Sequence, residues 1–244
     1  MTEQLAPGVV VSRQTELFTT TRDGIRAQHC FSFADHYDPT NIAVGPLQVC
    51  NIEQLDPMKG YQPHHHAHHD IVTIVLEGKL RHEDTYGNVG ELSAGDVQLL
   101  QSADGVEHSE TNPDLEAICT FVQLWFAADS SSTDVTYWTA PIGPQSGLHD
   151  LPLPDLTCGV LLQEYTGTST QSLVIDGGAF ILALEPGLRI DLGDGVTVEL
   201  GTFDSLRLRG QFSISLTPDG QATRAALGVF SEETMRPFDP PSRS

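Results

Sequence analysis

Short β-branched and apolar runs, each stopped by a turn built on Gly, Asp or Pro, recur along most of the chain and leave little room for helix. His69-Asp70-Ile71-Val72-Thr73-Ile74-Val75-Leu76-Glu77-Gly78 reads as a buried strand that Gly78 ends. Lys79 to Asp84 returns from it. Tyr86-Gly87-Asn88 supplies the next turn, and Ser93-Ala94-Gly95-Asp96 the one before the apolar run Val97 to Leu100. Ala117 to Ala127 is a further strand with Val122, Leu124 and Phe126 on one face. Consecutive β-hairpins account for this spacing. Helical periodicity is weak, and Asp134 to Trp138 is the one segment that suggests it.

From Asp129 to Asp155, Ser, Thr, Pro and Gly dominate without sustained periodicity, which marks a linker. Beyond it, Leu173 to Ile175, Ala179 to Leu184, Leu188 to Leu192, Val196 to Leu200, Ser205 to Leu208 and Gln211 to Leu216 form a second series of strand-like runs. Asp-Gly, Pro-Gly, Gly-Asp-Gly and Arg-Gly separate them. The expected fold is all-β, two tandem antiparallel β-barrels. The expected division is a first barrel over residues 1–128, a linker over 129–155, a second barrel over 156–235 and a Pro-rich, polar tail over 236–244.

Charge narrows the function classes. The 244 residues carry 12 Lys and Arg against 33 Asp and Glu, a formal charge of −21, and residues 82–188 hold 16 acidic side chains with no Lys or Arg. Such a surface has no donors for phosphate, so nucleic acid and anionic membrane are disfavoured as partners. Met1-Thr2-Glu3-Gln4-Leu5 lacks a basic region and a long apolar segment, and no later run approaches the ~18 apolar residues of a membrane span. A cytoplasmic protein is expected. Cys30, Cys50, Cys119 and Cys158 are far apart and form no C-x-x-C pair, which in a reducing compartment reads as buried apolar thiols. Neither a Gly-rich phosphate loop nor a Gly-x-Ser-x-Gly elbow is present, which removes the common kinase and hydrolase readings.

The chemistry concentrates in Pro63-His64-His65-His66-Ala67-His68-His69-Asp70, which holds five of the ten histidines. In an extended segment His64, His66, His68 and Asp70 share one face, with His65 and His69 on the other. His108-Ser109-Glu110 repeats the two-residue spacing. Two such segments meeting in a barrel can hold one divalent ion and leave positions open. A His-rich tract also occurs as a solvated surface. Spacing alone leaves His64/His66 and His66/His68 both open as the first pair.

The order of motifs from about Arg26 to Phe126 resembles the pirin family of cupin-fold proteins. It runs through His29-Cys30-Phe31-Ser32-Phe33-Ala34-Asp35-His36-Tyr37-Asp38-Pro39, Gly45-Pro46-Leu47-Gln48-Val49 and the His-x-His region. It continues through Val72 to Gly78, His82-Glu83-Asp84-Thr85-Tyr86-Gly87-Asn88, Gly95-Asp96-Val97-Gln98, His108-Ser109-Glu110 and Gln123-Leu124-Trp125. The resemblance implies two cupin-type barrels, a bicupin, in which the first holds the metal and the second is degenerate. It puts the ligands at His64, His66, His108 and Glu110. The implied ion is Fe(II), with Mn, Ni, Co, Cu or Zn as the other divalent choices. Ala67-His68-His69-Asp70 and Ser102-Ala103-Asp104-Gly105 depart from the family pattern, and no His follows His149 to build a second such site.

Bacterial pirins similar to this chain include quercetin 2,3-dioxygenases, so the resemblance implies a small aromatic, flavonol-type substrate with O2, and Glu110 as general base. Other pirins act as metal- or redox-sensing interaction proteins. That alternative implies a protein partner in place of turnover. Among the remaining residues, His82 beside Glu83 and Asp84 reads as a surface residue or a support for a ligand. His29 and His36, set among aromatics, read as structural, and Trp125 and Phe126 as core packing.

Overall fold

The computed structural model describes residues 2–128, 134–143 and 145–235. The tail expected over 236–244 and part of the linker expected over 129–155 lie outside the described residues. The chain is all-β, and no α-helix occurs among the described residues. No helix among them is long and apolar enough to cross a membrane.

Two compact units divide the chain. Of the described residues, 2–17, 145–151 and 159–235 build one, and 18–128, 134–143 and 152–158 build the other. The first hairpin, β1 (Thr2–Ala6) and β2 (Val9–Ser12), belongs to the former, although the sequence division placed it in the N-terminal barrel. Val9 and Val11 explain this: they bury an apolar strip in the core of that unit, and β2 pairs there with a strand nearly two hundred residues on.

The histidine-bearing unit contains β3 (Phe18–Arg22), β4 (Ile25–His29), β5 (Leu47–Leu55), β6 (Gly60–His66), β7 (His69–Glu77) and β8 (Lys79–Asp84). β9 (Val89–Ser93), β10 (Asp96–Gln101), β11 (Val106–Thr111), β12 (Cys119–Ala127) and β13 (Thr136–Pro141) complete it. Seven strands form one sheet in the order β13-β10-β7-β12-β5-β4-β3, and four form another in the order β6-β11-β8-β9. All pairings are antiparallel. Leu55, Val75, Leu80, Leu92 and Phe121 form one apolar cluster of this unit, and Ile71, Leu100 and Val106 a smaller one beside Trp125 and Tyr137. β13 corrects the helical suggestion at Asp134 to Trp138. Its residues pair with β10 from Asp96↔Pro141 to Gln101↔Thr136, and the alternation of Tyr137 and Trp138 is that of an edge strand.

In the other unit β14 (Gly147–Asp150), β15 (Leu161–Gly167), β16 (Gln171–Ala183), β17 (Leu188–Asp191), β18 (Thr197–Leu200), β19 (Ser205–Pro218) and β20 (Thr223–Ser231) join β1 and β2 in a nine-stranded sheet. Asp176-Gly177 and Arg209-Gly210, expected as turns, lie inside two long strands. Gly177 pairs opposite Gly210, and Gly177 sits against the backbone of Ser231 and Glu232 where a side chain would collide. The expected linker therefore contributes strands to both units, β13 to one and β14 to the other.

Candidate metal centre

The centre is built on the pairing of β6 with β11. Along β11 burial alternates: Val106, His108 and Glu110 are enclosed while Glu107 is exposed, as expected of a strand with one face turned inward. His108 lies opposite His64 and Val106 opposite His66, but Glu110 lies opposite Tyr61, because the ladder carries a bulge at Gln62-Pro63. Pro63 has no N–H to offer the ladder, which suits it to that position. The extra residue brings Tyr61 beside His64, their ring centroids 5.8 Å apart.

His64, His66 and His108 place ring nitrogens within 4.8 Å of one another, and His82, His108 and Glu110 form a second such group sharing His108. The four residues drawn from the resemblance are thus neighbours, with Glu110 grouped through His108. Burial, and then the facing imidazoles, push His66 and His108 down to about 3, so both are neutral and carry lone pairs at pH 7. The His108 Nε2 atom is buried without a hydrogen-bond partner. An unpaired buried nitrogen on His108, with His64 and His66 on one hand and Glu110 on the other within ligand reach of that residue, is what a divalent transition ion would satisfy, so the residues fit that group.

Hydrogen bonds fix the rest. Glu110 is 1% exposed, and its oxygens face amide donors: Gln123 Nε2 at 2.8 Å and Gln98 Nε2 at 3.4 Å. Gln123 is oriented in turn by Trp125, whose indole N–H donates to its Oε1 at 2.7 Å. The Trp125 ring meets His66 edge-on at 4.6 Å. His82 is fully buried, its Nδ1 3.2 Å from His108 Nδ1 and its Nε2 3.2 Å from Asp84 Oδ2. Burial raises the Asp84 carboxyl, but hydrogen bonds led by Asn88 outweigh it, so the group lies below its ordinary range.

The other histidines fall away from the cluster. His65 is exposed, and His68, at φ +61° in the turn between β6 and β7, is exposed too, so the alternation read from sequence stops at His66. His69 bonds Ala67 O and Gln48, and Asp70 accepts from Thr157 N and Oγ1. His29 bonds Asn51 and Thr20 and stacks on Phe33.

Gln98 and Gln123 stand in motifs that carry the resemblance and Tyr61 and Glu53 do not, and the sequence assigns none of the four a role at the site. A lone Gln in the apolar runs of β10 and β12 is the trace that Gln98 and Gln123 leave there. Glu53, 3% exposed, accepts from Tyr61 Oη at 2.5 Å and from Asn51, and burial pushes it up to about 7. A cavity of about 780 Å³ opens beside β6, lined among others by Ile25, His29, Phe33, Met58, Tyr61 and Gln62.

The class that fold and site define is a two-sheet β unit whose paired strands β6 and β11 gather histidines that could hold a metal ion. Residues 11–126 match the model of the pirin family. A Mycobacterium tuberculosis protein provisionally named as a quercetin 2,3-dioxygenase is 39% identical over 129 residues, 53% of each chain. A pirin-like protein of Caulobacter vibrioides is 37% identical over 125 residues, 50% of this chain and 53% of its own. The chain thus spans about half the length of the curated relatives it matches. The crystal structure of the bacterial pirin YhhW from Escherichia coli in complex with nickel(II) superposes with a TM-score of 0.81 at 22% identity, over 91% of this chain and 99% of that one. That likeness is one of fold.

Proposed function

We propose that the chain is a metal-dependent dioxygenase that opens a flavonol-type ring with O2, and that His64, His66, His108 and Glu110 hold one divalent transition ion. The observation that carries the reading is His108 Nε2, buried and unpartnered beside two further imidazoles. The relative named for quercetin 2,3-dioxygenase supports the substrate class, and the nickel complex of YhhW supports a divalent ion. When bound, such an ion supplies Lewis acidity and a redox-capable centre for reaction with O2.

The protein's own residues do the rest. Glu110 takes the proton of the substrate 3-hydroxyl, its carboxylate held ready by Gln98 and Gln123. The cavity with Phe33, Ile25 and Tyr61 on its walls is not lined by the four ligands, so no substrate seat is assigned to it. Both atoms of O2 enter the products: the ring opens to an ester acid and one carbon leaves as CO. Fully metallated protein is given quercetin and O2, and uptake, CO and ring-opened product are measured together. Stoichiometric CO supports the reading. Absence of turnover with iron, manganese, nickel, cobalt and copper in turn overturns it, and tight association with a protein partner would then favour a sensor.

A further inference from the structure

His82 and Asp84 form a buried chain that ends on His108, and its polarity can be read atom by atom. Asp84 Oδ1 accepts the backbone N–H groups of Tyr86 at 2.9 Å and Asn88 at 3.0 Å, and Oδ2 accepts Asn88 Nδ2 at 2.8 Å. The same Oδ2 faces His82 Nε2. A carboxylate has no proton to give, so His82 donates to it from Nε2, and a ring with one proton then leaves Nδ1 bare. His82 Nδ1 faces His108 Nδ1, and one of the two must donate. The proton therefore lies on His108 Nδ1, and the buried, unpartnered His108 Nε2 is left as a lone pair. Tyr137 stacks on His82 at 4.4 Å and 17°, which holds the ring in this orientation.

We infer that Asp84, acting through His82, fixes the tautomer of His108 and so selects the atom that His108 offers to a metal; both are positioning residues. The inference rests on the reading of His108 as a ligand. Asp84→Asn tests it sharply. The two backbone N–H groups keep the new side chain's oxygen at the Oδ1 position, which puts an amide N–H against His82 Nε2. His82 must then accept there and donate from Nδ1. His108 Nδ1 becomes the acceptor, and the proton moves to His108 Nε2. Asn88 accommodates the change by turning its amide.

The experiment uses the full chain with ¹⁵N-labelled histidine, first metal-free, then titrated with Ni(II) against a competing chelator. Two-bond ¹H–¹⁵N correlations are expected to show His108 protonated on Nδ1 in the wild type and on Nε2 in Asp84→Asn. Ni(II) affinity is expected to fall about 10–100-fold in Asp84→Asn. Asp84→Ala removes more turn bonds but imposes no polarity, so it loses more stability and less affinity than Asp84→Asn. A merely structural Asp84 gives the opposite order for affinity. Protonation of wild-type His108 on Nε2, or unchanged Ni(II) affinity in Asp84→Asn, overturns the inference. Equal Ni(II) affinity in wild type and His108→Ala overturns the ligand reading itself, while the metal-free spectra continue to report the tautomer chain by itself.

Discussion

Glu110 is the residue whose two proposed roles, donor and base, separate cleanly by substitution. Trp125 pins the Gln123 amide, so in Glu110→Gln the new side chain must turn its oxygen to Gln123 and its NH2 to Gln98. Gln98 can receive it, because its own Oε1 is buried without a partner and becomes an acceptor when the amide turns. The variant therefore folds and keeps three imidazoles and one coordinating oxygen, but cannot take a proton. We expect kcat with a flavonol to fall about 10²–10⁴-fold while metal content holds. Wild-type kcat at full occupancy would make Glu110 a ligand only. A second pair of variants tests the register: His66→Ala, which removes a buried ring from the cluster, should lose the metal, whereas His65→Ala, which removes an exposed one, should retain it. Comparable losses in the two, measured by metal analysis of untagged protein, would show that the ligand face has been misread.

At the scale of elements, the cluster depends on how closely β6 approaches β11. Gly60 has φ +155°, and a Cβ there would lie 2.2 Å from Glu110 O and 2.5 Å from Thr111 Cα. Gly60→Ala must therefore separate the strand bearing His64 and His66 from the strand bearing His108 and Glu110. Stability should fall by about 1–3 kcal/mol, with a loss of metal affinity alongside. Gly95→Ala is the comparison, since φ there is +91° but the added carbon meets nothing within 4 Å. It should lower the thermal midpoint and leave metal affinity unchanged, and an equal loss of affinity in both would divorce the cluster from strand approach. Much of this geometry is written locally: β7, β8, β10 and β12 follow from apolar runs with turn residues at their ends, and the alternation of His64 with His66 is visible in the chain. The bulge at Pro63 is not, because it depends on the partner strand, and it is what turns Tyr61 to the same side. Nor is the left-handed turn at His68, which removes that residue from a face that alternation assigns to it. The pairings of β2 with β19 and of Gly177 with Gly210 are likewise set by distant sequence, and turn-forming dipeptides conceal the second of them.

At the scale of the molecule, burying several imidazoles makes the metal-free fold sensitive to acid. His66 and His108 titrate at about 3 in the folded protein, depressed first by burial and then by neighbouring imidazoles, against 6.5 for a free side chain. Below pH 6.5 the unfolded chain binds two protons that the folded one refuses, so stability falls as pH falls, down to about 3. Glu53 works in the other direction. Burial raises it from 4.5 to about 7, so its contribution is complete below 4.5 and is lost as pH rises through 7. His29 and His69, lowered chiefly by burial, add to the first effect, and Asp70, raised chiefly by burial, adds to the second. Between pH 4.5 and 6.5 two imidazoles, His66 and His108, oppose one carboxyl, Glu53, and the unfolded state holds one net proton more. One net proton corresponds to about 1.4 kcal/mol per pH unit, so metal-free protein should lose about 2 kcal/mol between pH 6.5 and 5. Urea unfolding midpoints at a series of pH values measure this directly. Glu53→Gln removes the largest opposing carboxyl and should steepen the fall over the same interval. A midpoint that stays level from pH 6.5 to 5 in both proteins would mean that His66 and His108 accept protons inside the fold, and with that the neutral lone pairs on which the proposed metal centre depends would be lost.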